Sequence, residues 1–161
     1  FVPQTRNVFT GLTVRENLEA SRLIAERRRS DRPMPSVEAL IFQAGLWELR
    51  DRRASQLDYG NARRLELVRA AATAPDFLLL DEPTSGMGDN ESIAMIEQVK
   101  TIAGIVGAGV VVIDHDLNFI TGICDRIYVL DQGSLIATGT PEEISANPVV
   151  QAAYLGTKKS E

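Results

Sequence analysis

Two adjacent carboxylates, Asp81 and Glu82, close an apolar run in "FLLLDEPTSGM", residues 77–87. A carboxylate in that setting can hold a hydrated metal ion or take a proton from water. Three other segments offer compatible chemistry. His115, the only histidine, stands in "VVVIDHDLN" just past a second apolar run; an imidazole there can reach a phosphate or an attacking water. Gly60 and Asn61, in "LDYGNARRLEL", lie at the start of a helix-forming stretch. Free N–H groups and the dipole at a helix start make an anion site, and the Asn61 amide can donate to its oxygens. Gln4, in "FVPQTRNVF", supplies a neutral amide able to bind a metal or orient a water. Each feature alone has a plainer explanation: a solvated turn, a surface histidine, an N-cap, a polar loop residue.

The elements that must position these residues are legible from pattern. Residues 77–80 are apolar, bounded by Pro75 and Pro83, and read as a strand covered on both faces. The run before His115 reads as a second buried strand. Ligands in open α/β sheets sit beyond the carboxyl ends of strands, which is where Asp81, Glu82 and His115 fall. Phe1, Val2 and Pro3 look like the end of another strand. Between Gln4 and the 57–61 segment the chain is helical. Residues 12–29 open with Thr13 and Glu16 in a capping-box spacing and end at Pro33 and Pro35. Residues 36–49 repeat the pattern, with Ser36 as N-cap and Gly45 near the end. Residues 62–74 and 90–106 predict two further helices, the second stopped by Gly107 and Gly109. A helix at 117–126, a hairpin turning at residues 131–133 and a short helix from Pro141 follow.

Composition bounds the class. The chain has 161 residues, 44% hydrophobic and 24% charged, enough for one domain with a real core. A net charge of -5 argues against a nucleic-acid partner. The single cysteine, Cys124, excludes an internal disulfide and any cysteine-based metal cluster. No apolar stretch has transmembrane length. Two basic clusters, Arg27–29 with Arg32 and Arg50 with Arg52 and Arg53, read as solvated helix ends and loops.

In chain order the segments read Q … LDYGN … FLLLDEP … H, with the helical stretch between the first two. This order and spacing resembles the ATP-binding subunit of ABC transporters over nearly the whole chain. The segments "LDYGNARRLEL", "SGM" and the stretch after His115 look most like branched-chain amino acid importers. The resemblance implies an α/β fold: part of a P-loop NTPase (RecA-like) core with a parallel sheet and an inserted helical subdomain. Residues 1–12 would be the Q-loop segment, 13–56 the helical subdomain, and 57–161 the C-terminal half of the ATPase core. It further implies that Glu82 polarises the water attacking the γ-phosphate of ATP and that Asp81 holds Mg²⁺ through water. Gln4 would complete the metal and water shell, and His115 would stabilise the γ-phosphate. Asp58, Tyr59, Gly60 and Asn61, as the signature loop, would face the ATP of a second ATPase subunit in a head-to-tail dimer, with Ser85 in the D-loop. Residues 13–56 would grip the transmembrane permease subunits, placing the protein peripherally on the cytoplasmic face of the cell membrane.

Departures from the family pattern also show. Asp58 stands where serine is usual, Asn61 where glutamine is usual, and Gly88 where Asp or Asn is usual. An extra carboxylate near a triphosphate is electrostatically unfavourable. The three lysines, Lys100, Lys158 and Lys159, lie in no glycine-rich phosphate loop. The chain is therefore expected to be a C-terminal portion of such a subunit, inactive when isolated. A non-catalytic half-domain, docking to a membrane partner or completing another subunit's ATP site, is the alternative. An ABC-type ATPase of DNA repair or translation fits the acidic balance less well.

Overall fold

Val2 donates to Leu79 O and accepts from Asp81 N, at 2.8 and 2.9 Å, so the chain enters as a strand-like segment alongside residues 77–81. This is one detail of a computed structural model that describes residues 1–4, 7–26 and 34–157. The Arg27–29 and Arg32 cluster and Pro33 lie outside the described residues. The chain divides into two units, Phe1–Asp114 and His115–Glu161.

In the first unit, β1 (Phe77–Asp81) and β2 (Gly109–Ile113) pair in parallel, with Leu78 opposite Val110 and Asp81 opposite Ile113. The expected parallel sheet is present, but its strands are not covered on both faces. Leu78 and Leu80 are buried, whereas Phe77 and Ile113 are 62% and 67% exposed. Successive strand side chains point to opposite faces. An apolar run shows that both faces can be buried, and the described chain covers one of them.

Helices supply that cover. The capping box predicted for α1 (Val14–Glu26) forms: Thr13 N donates to Glu16 Oε2 at 2.8 Å, and Glu16 N donates to Thr13 Oγ1 at 3.2 Å. Helix α2 (Val37–Gln43) starts on Ser36, whose hydroxyl accepts from Ala39 N. It is shorter than its apolar pattern because Gly45 adopts φ +67°, the left-handed conformation that ends a helix. Residues 47–49 continue as one 3₁₀ turn, and another 3₁₀ turn spans Ala54–Gln56. Helix α3 (Tyr59–Ala71) begins three residues before its expected start at Ala62, so Gly60 and Asn61 occupy its first turn and Asp58 is the N-cap. Helix α4 (Asp89–Val106) ends on Gly107 at φ +63°. Leu18 of α1, Leu40 and Ile41 of α2, Leu65 and Val68 of α3, and Val99 and Ile102 of α4 are completely buried.

The second unit holds α5 (Leu117–Ile123), β3 (Ile127–Asp131), β4 (Ser134–Gly139), α6 (Pro141–Ala146) and α7 (Pro148–Thr157). The hairpin is antiparallel, and its turn places Gln132 and Gly133 at φ +45° and +80°, the two consecutive left-handed residues of a type I′ turn. Thr140 caps α6 through Glu143 N, as Pro141 at the first position predicts. The small core joins Ile127, Ile144 and Val150 to Leu117, Ile120 and Cys124. Helix α7 carries no capping signal in the sequence beyond Asn147, whose side chain accepts from Val149 N.

Candidate functional site

The first unit brings Gln4 and Glu82 together across 78 positions: Gln4 Nε2 donates to Glu82 Oε2 at 2.6 Å. Parallel pairing makes this possible, because Val2 lies beside Leu80 and both chains leave the sheet in the same direction. Glu82 is held in an uncommon backbone state, φ +43°. A non-glycine residue stays there only when its surroundings hold it. Three hydrogen bonds do so: Glu82 N to Ile113 O at 2.8 Å, Ser85 N to Glu82 O at 3.2 Å, and Arg63 Nη2 to Glu82 O at 3.3 Å.

Asp81 is the last residue of β1 and half-buried. With its amide nitrogen engaged on Glu82, Gln4 keeps its carbonyl oxygen as an acceptor. Among the described residues no group of three His, Cys, Asp or Glu forms an all-protein metal cage. Mg²⁺ takes one or two protein oxygens and fills its octahedron with water and phosphate. Asp81 and Gln4 are the residues that would hold it.

Segment 57–61 is built on the start of α3. Asp58 accepts from Asn61 N and from Asn61 Nδ2, both at 2.8 Å. The amide expected to donate to phosphate is therefore turned onto the neighbouring carboxylate. Tyr59 donates its hydroxyl to Ser85 O, joining two of the expected nucleotide-facing residues to each other. His115 is the exposed first residue of the second unit, two positions past the end of β2.

Sequence reading missed the buried polar residues behind these groups. Arg63 and Glu66 pair at 2.8 Å with side chains 3% and 2% exposed. Burial disfavours the Arg63 charge, but the hydrogen bond and charge of Glu66, with help from Tyr59, outweigh it and raise the guanidinium above its ordinary value. Arg63 Nε is buried with no hydrogen-bond partner among the described residues, a loss of about 1–3 kcal/mol. Glu66 Oε1 accepts from Asn7 N at 2.7 Å. Asp114 accepts from Thr84 N at 3.2 Å and from Thr84 Oγ1 at 2.7 Å, tying the loop after β1 to the residue before His115. Asn17, fully buried, holds the turn at residues 9–13 by bonds to both backbone groups of Phe9 and to Thr13 O. In sequence an Arg–Glu pair three apart looks like an ordinary solvated helix face, so only its burial sets it apart. Of the second basic cluster, Arg50 packs on the Trp47 ring at 4.6 Å, while Arg52 and Arg53 are exposed, as expected.

A family model described as ABC transporter matches residues 1–85, and one described as Branched-chain amino acid ATP-binding cassette transporter matches residues 134–159. The chain is 40% identical over 132 residues to the High-affinity branched-chain amino acid transport ATP-binding protein LivG of Salmonella typhimurium, covering 82% of this chain and 52% of that protein. It is 35% identical to the Lipopolysaccharide export system ATP-binding protein LptB of Haemophilus influenzae, over 97% of this chain and 64% of that protein. The chain thus spans about half the length of the LivG relatives it matches. Among solved structures, the ADP conformation of an ATP-binding cassette of an ABC transporter superposes with a TM-score of 0.75 at 24% identity. That superposition covers 96% of this chain and 67% of the other.

Proposed function

The chain belongs to the ABC transporter family, and from that premise we propose that it forms part of the ATP-hydrolysing motor subunit of an importer for branched-chain amino acids. The hydrogen bond between Gln4 and Glu82 carries the reading, because it places an amide able to sense a metal or water on the carboxylate suited to take a proton. In this proposal Glu82 accepts the proton of the attacking water, and Asp81 and Gln4 hold Mg²⁺, which when bound neutralises phosphate charge. His115 stabilises the terminal phosphate. Segment 57–61 faces the nucleotide of a second subunit, and residues 13–56 dock on the transmembrane permease at the cytoplasmic membrane face. No helix among the described residues is long and apolar enough to cross a membrane.

The solute assignment is supported by the match of residues 134–159 and by the likeness to LivG. The likeness to LptB over 97% of this chain favours a second reading, lipopolysaccharide export. Uptake of labelled leucine in cells carrying Glu82→Gln separates the two. Lost uptake with normal lipopolysaccharide transport supports the importer; the converse supports the exporter. In the assembled transporter, Glu82→Gln lowers ATP hydrolysis by about 100-fold or more, the scale of a lost general base. The 161 residues alone hydrolyse no ATP, since none of their lysines lies in a phosphate loop. Turnover by the isolated chain, or an undiminished Glu82→Gln transporter, overturns the proposal.

A further inference from the structure

Arg63 and Glu66 are the two charged residues buried among the described residues, and their partners are not scattered. Arg63 Nη1 donates to Pro3 O at 2.9 Å, and Nη2 donates to Gln4 O at 2.7 Å and to Glu82 O at 3.3 Å. Glu66 holds the guanidinium through Oε2 at 2.8 Å and accepts from Asn7 N through Oε1. One side chain thus grips the backbone of both members of the Gln4–Glu82 pair, and it stands four residues into the helix that opens with segment 57–61.

We propose that Arg63, fixed by Glu66, is a positioning residue that transmits displacement of the signature segment to the Gln4–Glu82 pair. Its catalytic meaning rests on the function proposed above; the coupling itself rests on the hydrogen bonds alone. A planar fork with five donors can span several carbonyls at once, which a lysine ammonium at the end of a flexible stem cannot do rigidly. Apolar residues of equal volume would serve stability as well or better than a buried ion pair. The pair is also directed at a backbone that needs holding, because Glu82 lies at φ +43° and Arg63 binds its carbonyl. A shift of α3 along its axis moves the guanidinium, and the carbonyls of Gln4 and Glu82 must follow or lose their bonds.

The test uses amide nuclear magnetic resonance on the 161-residue chain, which requires no nucleotide. Asp58→Ser keeps a cap on α3 but releases the Asn61 side chain from its carboxylate partner, and is expected to shift the Gln4 side-chain amide and the Glu82 backbone amide. In an Arg63→Met/Glu66→Met background, which removes both charges and keeps the volume, those shifts fall below about a fifth of their native size. Arg63→Lys retains an intermediate response. Equal shifts in the double-methionine background, or none in the native chain, overturn the proposal. If Arg63 served stability alone, replacing it would change the unfolding midpoint and leave this transfer intact. In the assembled transporter, Arg63→Lys lowers kcat about tenfold with KM for ATP unchanged; an unaltered kcat overturns the positioning role. A wild-type complex without ATPase activity refutes the proposed function and leaves the resonance result standing.

Discussion

Tyr59 donates its hydroxyl to the backbone carbonyl of Ser85, joining the first turn of α3 to the loop that follows β1. The ring also lies 3.6 Å from where a Cβ on Gly86 would stand, and Gly86 adopts φ +78°. Tyr59 is therefore held against the Ser85–Gly86 turn of the same chain. Tyr59→Phe should lower the unfolding free energy by about 1 kcal/mol, the usual net value of such a bond. Gly86→Ala should cost at least about 1 kcal/mol through its backbone angle, since the contact with Tyr59 is ordinary. Chemical denaturation of the chain measures both; an unchanged midpoint for either removes the corresponding contact from the account.

Asp58 holds both the backbone and side-chain N–H groups of Asn61. Asp58→Ala should destabilise the chain by about 1 kcal/mol, the value of a lost N-cap. Asp58→Ser keeps a cap and frees the Asn61 amide, so stability should change little while ATP hydrolysis in the assembled transporter rises. An ATPase rate equal to wild type would show that the extra carboxylate does not hinder the nucleotide.

Gly88 begins α4 without a side-chain acceptor, although its own N–H donates to Glu91 Oε2 at 3.1 Å. Its φ of -79° suits any residue, and a Cβ there would meet nothing within 4 Å. Gly88→Asn should accordingly raise stability by about 0.3 kcal/mol, the small difference between glycine and a good cap. A lowered denaturation midpoint would contradict the open space seen at this position.

Glu16 has its carboxyl held below the ordinary 4.5, first by the Thr13 backbone N–H and then by the Thr13 hydroxyl. Folding favours its ionised form. That contribution is complete above the unfolded value near 4.5 and disappears as pH falls through the lower folded value. The acid side of the stability profile should therefore flatten in Glu16→Gln, with the difference in slope confined to pH below about 5. Parallel wild-type and variant profiles across that window would dismiss the linkage.

What the sequence alone determined about this protein lies in its local grammar. Thr13 with Glu16, Ser36, Pro141 and the Asp131–Gly133 turn place helix starts and a hairpin without reference to distant residues, because caps and turns are satisfied within a few positions. The order of Gln4, residues 57–61, Asp81–Glu82 and His115 identifies the family for the same reason: it is a linear pattern. Other features needed the tertiary structure. Adjacent Arg63 and Arg64 look alike in sequence, yet the first is buried against three backbone carbonyls and the second is not. The alternating exposure of β1 and β2 is likewise invisible in an all-apolar run. Burial depends on which elements arrive from elsewhere in the chain, and a buried charge persists only where those elements bring it partners.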